Sequence, residues 1–195
     1  MKILNLFAGI GGNRTLWEDH HKITAIEHDK KIAEIYANKF PDDIIIITDA
    51  YDYLEEHYNK FEFIWASPPC TTHTQLCRWH KQKKLPDMRL YSIIVFLGTW
   101  SNSFWCVENV IPYYKALIKP TAKVGRHMIW SNFQIKNKKY SGKREILTGL
   151  KLGHTYSSQI NSQKTNDAMN PIYGKYILDC IKDQLKPKKI WDYFK

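Results

Sequence analysis

Two segments of the sequence carry residue types that could perform covalent and acid–base chemistry. Ser67-Pro68-Pro69-Cys70 offers a thiol on a loop that two prolines stiffen, and Glu108-Asn109 follows an apolar run. A cysteine is usually a small buried apolar residue, but Cys70 begins a polar stretch containing His and Arg, which favours an exposed, reactive thiol. A carboxylate beside an amide could hold a planar heterocycle by its hydrogen-bonding edge. In isolation, Glu108 could equally be an acidic residue that begins a helix.

A glycine-rich segment, residues 7–12, follows the first apolar run and could approach a ligand closely. The dinucleotide spacing G-x-G-x-x-G fails, because Arg14 stands where the third glycine would be. Glu27 ends the second predicted strand, at a position where a carboxylate commonly binds ribose hydroxyls. Asp49 follows the third predicted strand. A turn and two carboxylates along one sheet edge suit adenosine without a pyrophosphate at least as well as they suit NAD.

Cys70, His73, Cys77 and His80 also offer a set of zinc-type ligands within a short stretch. The usual zinc finger separates its two ligand pairs by a longer segment, so we predict no metal site here.

The elements that must position these residues alternate through the first 110 residues. Apolar runs predict strands at 2–8, 22–27, 44–48, 61–66 and 104–107, and periodicity predicts helices at 29–39, 50–58 and 88–100. A short helix is predicted at 14–20, further strands at 127–133 and 144–150, and a closing helix at 171–184. The run 44–48 is apolar on both faces, which is typical of a buried parallel strand. The pattern predicts an α/β fold with a mostly parallel sheet and helices on both faces.

Length and charge limit the function classes. The 195 residues fit a single domain, 1–195, in which the polar and basic segment 134–169 is rich in loops. Residues 1–70 hold 7 Lys and Arg against 12 Asp and Glu, whereas residues 71–195 hold 22 against 7. The net charge of +10 therefore divides into −5 for residues 1–70 and +15 for residues 71–195, and the basic second part favours a polyanionic partner such as nucleic acid. No apolar run approaches the roughly 20 residues of a membrane span, and no signal peptide is evident, so we expect a cytoplasmic protein with reduced thiols.

Taken together, these residues resemble the DNA (cytosine-5) methyltransferases, which use S-adenosyl-L-methionine and share a Rossmann-like fold. Short motifs similar to those of the family follow one another in the family's order: NLFAGIGG (5–12), AIEHD (25–29), Phe40-Pro41-Asp42, Thr48-Asp49-Ala50, Pro69-Cys70, Glu108-Asn109-Val110, Gly125-Arg126-His127 and Met169-Asn170-Pro171.

The resemblance implies a role for each matching residue. The catalytic residues would be Cys70, Glu108 and Arg126. The cofactor-binding residues would be Phe7, Gly9, Ile10, Gly11, Gly12, Glu27, His28, Asp49, Ala50, Pro69 and Asn170. Double-stranded DNA would be the substrate, and from the charge pattern we expect it to contact Arg78, Lys81, Lys83, Lys84, Arg89, Lys136, Lys138, Lys139, Lys143, Arg144 and Lys151.

Several departures from the family leave alternatives open. The Gln of the Arg-bearing motif is absent, Thr71 replaces the common Gln after the cysteine, and the recognition region is reduced to 134–169. We therefore expect a short or relaxed target site, or a dimer or partner subunit that supplies recognition. The alternatives are an RNA cytosine-5 methyltransferase, an N4-cytosine enzyme suggested by Ser-Pro-Pro, and an inactive DNA- or partner-binding relative. Protection of a mobile or viral genome from restriction, in a prokaryotic cell or a phage-infected host, is the role that small size suggests.

Overall fold

The structure is a computed structural model that describes residues 1–78, 85–139 and 169–185. Within those residues, seven strands form one sheet in the order β3-β2-β1-β4-β5-β7-β6. The strands are β1 (Lys2–Leu6), β2 (Lys22–Ile26), β3 (Ile44–Ile46), β4 (Phe63–Ala66), β5 (Phe104–Val110), β6 (Ala122–Val124) and β7 (His127–Ser131). The first five run parallel, and β7 is antiparallel to both of its neighbours.

In the described parts of the chain, four α-helices cover the two faces of this sheet: α1 (Lys30–Lys39), α2 (Ala50–His57), α3 (Arg89–Trp100) and α4 (Pro171–Leu185). One face packs against α2 and α3 through the cluster that includes Leu54 and Leu97. The other face packs against α4, through the buried Ile177 and Ile181, and against α1, through Tyr36. The predicted α/β fold, with a mostly parallel sheet and helices on both faces, is confirmed.

Two helices begin at aspartates that follow strands. The Asp29 carboxylate accepts hydrogen bonds from the Lys31 and Ile32 amides at the start of α1, at 2.9 and 3.1 Å. Asp49 caps α2 by accepting from the Tyr51 and Asp52 amides. These side chains satisfy amides that have no partner within the helix, and so they fix where each helix begins.

The structure corrects two of the predicted elements and adds one strand. The predicted helix 14–20 is only a 3-10 turn, Asn13–Leu16. The run 44–48 contributes the short strand β3 at the edge of the described sheet, and Ile44 is 62% exposed, so this strand is not buried on both faces as predicted. The strand β6 was not predicted, since three residues are too few for an alternating pattern to stand out. The predicted strand 144–150 lies outside the described residues.

The strand order reverses between the parallel neighbours β1 and β4: the chain continues from β1 towards one edge of the sheet, through β2 and β3, and from β4 towards the other edge, through β5. At such a reversal the connections after the two strands diverge and leave a crevice at their carboxyl ends, where α/β proteins bind ligands. Among the helices of the described segments, none combines the length and the apolar character needed to cross a membrane.

Candidate active site

A cavity of about 800 Å³ occupies the crevice at the carboxyl ends of β1, β4 and β5. Most of its walls come from four chain segments: the glycine loop after β1, the Pro-Pro-Cys loop after β4, the end of β5, and the turn before β7. Ile32 of α1 and Met169, which precedes α4, complete the lining. The volume is within the range of small-molecule sites, about 300–1,000 Å³. Because separate loops build it, the cavity can bring cofactor-binding and reactive groups together.

The glycine loop turns by left-handed backbone conformations. Phe7 has φ +55°, Gly9 +55° and Gly11 +74°. At Gly11 a Cβ would lie only 2.2 Å from the Phe40 ring, so glycine is required there for space as well as for conformation. The left-handed Phe7 is strained by about 1–2 kcal/mol, and this kind of strain clusters at ligand sites.

Glu27 stabilises the glycine loop from outside the cavity. Its Oε2 accepts a hydrogen bond from the Gly9 amide at 3.0 Å, and its Oε1 accepts one from the Asp29 amide, also at 3.0 Å. The His28 ring lies 3.1 Å from the same carboxylate, with a side chain that is 74% exposed. Glu27 therefore ties the loop to the turn between β2 and α1, and it does not line the cavity.

Arg14 anchors the far side of the same loop. Its guanidinium pairs with the Asp43 carboxylate at 2.9 and 3.2 Å, and both side chains are almost fully buried. The Tyr36 hydroxyl donates to Asp43 at 2.8 Å, and burial together with that carboxylate raises the pKa of Tyr36. Burial, with a contribution from Arg14, lowers the pKa of Lys39 to about 8. The arginine that breaks the dinucleotide spacing is thus a structural anchor for the loop.

The Pro-Pro-Cys loop presents Cys70 to the cavity in a half-buried position. The Cys70 carbonyl accepts hydrogen bonds from the amides of His73 and Thr74, which form a tight turn. From β5, the Asn109 amide group donates to the Pro68 carbonyl at 2.9 Å. Asn109 is 2% exposed, so this bond fixes the loop that carries the thiol against the strand that carries Glu108.

The zinc-type residues make other contacts. His73 Nδ1 lies 2.7 Å from the Tyr114 hydroxyl, and Cys77 donates its S–H to the Thr71 carbonyl. His80 lies outside the described residues. Among the described residues, one group of His, Cys, Asp and Glu side chains is close enough to share a metal ion, and its members are Glu18, His20 and His21.

Glu108 and His127 form a buried pair at the floor of the cavity. His127 Nδ1 contacts Glu108 Oε1, and each residue is only 6% exposed. Arg126 lines the cavity beside them. The sequence prediction missed a role for His127. The signal was its place after Arg126 at the start of an apolar strand, which pairs with the strand that carries Glu108.

The closing helix α4 packs tightly against Asn13, next to the glycine loop, and against Gly125, in the turn before β7. At Gly174 a Cβ would lie 2.1 Å from the Asn13 carbonyl oxygen, and Asn13 lines the cavity. At Gly125 a Cβ would overlap the Tyr173 side chain at 2.1 Å. Asn170 begins the helix by accepting the Ile172 amide at 3.0 Å. Only glycine at positions 125 and 174 permits this close approach.

The cavity therefore gathers most, but not all, of the predicted cofactor and catalytic residues. Those that line it are Phe7, Gly9, Ile10, Gly12, Pro69, Cys70, Glu108 and Arg126. Those outside its lining are Gly11, Glu27, His28, Asp49, Ala50 and Asn170. Most of these six support the site, because they shape the glycine loop, cap a helix or pack in the core.

The described DNA-binding candidates are Arg78, Arg89, Lys136, Lys138 and Lys139. Arg89, at the start of α3, forms an ion pair with Asp87 and stacks over the Tyr51 ring at 4.8 Å. The exposed Lys136, Lys138 and Lys139 belong to a segment that runs beside β6, where the Gly125 amide donates to the Lys138 carbonyl at 2.8 Å. This segment therefore reaches the turn that carries Arg126. Arg78 ends a 3-10 turn, and the candidates outside the described residues are Lys81, Lys83, Lys84, Lys143, Arg144 and Lys151.

The strand order, the glycine loop after β1 and the cavity at the reversal of the sheet define a Rossmann-like fold of the S-adenosylmethionine-dependent methyltransferase class. Residues 1–147 match the family model of the C-5 cytosine-specific DNA methylases. The chain belongs to that family.

Solved structures of similar fold include an Escherichia coli prophage protein described as a DNA modification methyltransferase. It is 20% identical over 59% of this chain and 33% of its own, with a TM-score of 0.41. A hypothetical protein of Thermus thermophilus is 14% identical, over 67% and 73% of the two chains, with a TM-score of 0.46. The plantazolicin methyltransferase BamL, solved with SAH, is 12% identical over 56% and 38%, with a TM-score of 0.37. This chain thus spans about a third of the length of the prophage protein. No curated protein sequence matches it.

Proposed function

We propose that this protein is a DNA (cytosine-5) methyltransferase that works through a covalent adduct between Cys70 and the target cytosine. The observation that carries the proposal is the cavity itself. In a chain of the C-5 cytosine-specific DNA methylase family, one cavity is lined by a thiol, a buried carboxylate and a guanidinium beside a glycine loop.

The residues on the cofactor side fit S-adenosyl-L-methionine. Phe7, Ile10 and Ile32 offer apolar walls for a flat ring, and the glycine loop lets the backbone approach a ligand closely. The excess of acidic residues in the first 70 residues suits a cationic molecule. When bound, the cofactor supplies an electrophilic methyl group on a sulfonium.

The reacting cytosine must leave the duplex, because a thiol in this cavity cannot reach a stacked base. The Cys70 thiolate donates an electron pair to C6 of the ring, and a C6–S bond forms. Glu108 gives a proton to N3 as C6 is attacked, so the electrons of the C5–C6 double bond become available at C5. Arg126 holds the C2 oxygen. After C5 has gained its methyl group, a base removes the C5 proton. The C5–C6 double bond re-forms, the C6–S bond breaks, and N3 returns its proton to Glu108.

The decisive test is transfer of labelled methyl groups to duplex DNA. We expect Cys70→Ser to lose at least 99% of the rate (roughly 10²-fold), because a hydroxyl is a far weaker nucleophile than a thiolate. Cys180→Ser is a matched control, since Cys180 is a half-buried thiol on α4 that does not line the cavity, and it should keep full activity. If Cys70→Ser methylates as well as the wild type, the covalent mechanism is wrong.

DNA binding is the finer part of the proposal. Exposed lysines beside the Arg126 turn suit phosphate contacts, which depend on salt and carry no sequence information. With only residues 134–169 for recognition, we expect a short or relaxed target site, with any further recognition coming from a second copy or a partner subunit. Bisulfite mapping of methylated DNA that revealed one long unique site would contradict this.

Two alternatives use the same site. RNA could be the substrate, and competition between tRNA and duplex DNA for methyl transfer separates the two. The short recognition region also suits a relative that binds DNA or a partner without catalysis. Calorimetric titration with S-adenosyl-L-methionine discriminates between them, because an inactive module need not bind the cofactor.

A further inference from the structure

The proposed mechanism leaves one buried histidine of the cavity without a task. His127 begins β7, pairs with Val110 of β5 across the sheet, and lines the cavity beside Arg126. Its Nδ1 contacts Oε1 of Glu108, the carboxyl group assigned to N3 of the cytosine. The contact joins Glu108, which we place against the target cytosine, to His127, and both residues are 6% exposed.

A carboxylate at this depth needs a hydrogen-bond donor, because burial without one costs more than the bond itself contributes. An imidazole with its proton on Nδ1 supplies that donor to Oε1. One carboxylate oxygen is then fixed to the protein, and the other, Oε2, is left for a substrate. The geometry of the pair thus sets how Glu108 faces the base.

The imidazole also contacts α4. The Tyr173 ring meets the His127 ring edge-to-face, with 5.8 Å between centroids and an angle of 67°. Tyr173 can approach this closely because Gly125 has no Cβ. Gly174, which follows Tyr173 in α4, packs directly against the Asn13 carbonyl. The orientation of the His127 ring is therefore fixed by its contact with Glu108 and by its packing against α4.

We propose that His127 is the positioning residue of Glu108: its Nδ1–H holds the carboxyl group in place and stabilises the charge left there. This rests on the proposed function. When Glu108 gives its proton to N3, the carboxylate that forms keeps the Nδ1–H hydrogen bond. At elimination the proton returns from N3 to Glu108, and the histidine ends as it began.

The test compares two substitutions of this histidine in single-turnover methyl transfer. His127→Leu removes the donor, and we expect the rate constant of transfer to fall about 10²-fold, at the lower end of what a positioned proton donor contributes. His127→Asn places an amide N–H near the position of Nδ1, and we expect it to retain activity within about tenfold of the wild type. The KM for DNA and the affinity for S-adenosyl-L-methionine should change less than about threefold in both, since the histidine acts on the chemical step.

A double-mutant cycle separates positioning from general support of the fold. If His127 acts through Glu108, then His127→Leu in a Glu108→Gln background should cause no further loss. His21→Asn is a matched control, because His21 is another histidine at 6% exposure and lies 3.3 Å from a carboxylate, that of Glu18. His21 precedes β2 at the opposite edge of the sheet, so this variant should keep wild-type transfer.

The possible results separate this role from the proposed function. Loss in His127→Leu, rescue by His127→Asn and a non-additive cycle support the proposal. Three results overturn it alone while the enzyme remains a methyltransferase: His127→Leu within threefold of the wild type, His127→Asn as slow as His127→Leu, or losses that multiply with Glu108→Gln. A wild-type protein that transfers no methyl group to DNA overturns the proposed function and this role with it.

Discussion

Replacing Gly174 by alanine should destabilise the protein, although alanine is the better helix former. Gly174 lies within α4, where an exposed glycine would cost about 0.5–1 kcal/mol relative to alanine. Here, however, a Cβ would lie 2.1 Å from the Asn13 carbonyl oxygen and 2.8 Å from the Asn13 carbonyl carbon and Cα. Both partners are backbone, so neither can rotate away.

The magnitude follows from the size of the overlap. A carbon–oxygen contact normally needs about 3.3 Å or more, so α4 and the 3-10 turn at Asn13 must separate by about 1 Å. Overpacking of this kind costs about 3 kcal/mol at the upper end of the usual range. Subtracting about 1 kcal/mol gained from helix propensity leaves a net loss of about 2 kcal/mol. In a chain of this length the melting temperature should fall by about 4–8 °C.

Gly98 of α3 provides a control, because the same glycine-to-alanine change there should stabilise the protein. A Cβ there would meet only the Trp105 ring at 3.7 Å, an ordinary van der Waals contact. Gly98→Ala should therefore raise the free energy of unfolding by about 0.5–1 kcal/mol. Urea titration monitored by circular dichroism measures both variants. If Gly174→Ala is as stable as Gly98→Ala, then α4 does not pack as closely against Asn13 as the structure shows.

Three further predictions concern the stability of the fold. Asp43→Ala should lower the free energy of unfolding by about 3–5 kcal/mol, measured by urea titration, because it leaves the buried Arg14 guanidinium with only the fully exposed Asp19 carboxylate, at 3.8 Å, as an ion-pair partner. Burial, reinforced by the N-terminal ammonium, lowers the pKa of His21 to about 4, below the 6.5 of the unfolded chain. The unfolded state then binds more protons between these values, so stability falls as the pH drops from about 6.5 to 4, and His21→Gln should flatten this dependence. Gly11→Ala should destabilise more than Gly9→Ala in thermal melts, since both have positive φ but only Gly11 also lacks room for a Cβ.

Much of the site could be predicted because parallel strands deliver their carboxyl ends to one edge. Apolar runs located β1, β2, β4 and β5, and the groups that follow β1, β4 and β5 do meet in the cavity. The detailed roles of the acidic residues could not be predicted in the same way. Glu27 accepts backbone amides with both oxygens and Asp49 caps α2, and only the turn geometry after each strand decides this.

Contacts between segments that are distant in the sequence could not be predicted either. The contact of His127 with Glu108 depends on how β7 returns antiparallel to β5, and periodicity alone does not give that register. The approach of Gly174 to Asn13 joins opposite ends of the chain. In the sequence, Arg14 only breaks the glycine spacing, and nothing local indicates that it pairs with Asp43.

The covalent step is the central claim, and duplex DNA in which 5-fluorocytosine replaces every cytosine tests it most directly. Fluorine at C5 cannot leave as a proton does, so the C6–S bond made by Cys70 should persist after methyl transfer. We predict a protein–DNA adduct on a denaturing gel that needs S-adenosyl-L-methionine, forms with Cys180→Ser and is absent with Cys70→Ala. An adduct that persists in Cys70→Ala, or methylation of ordinary DNA by that variant, would contradict the account.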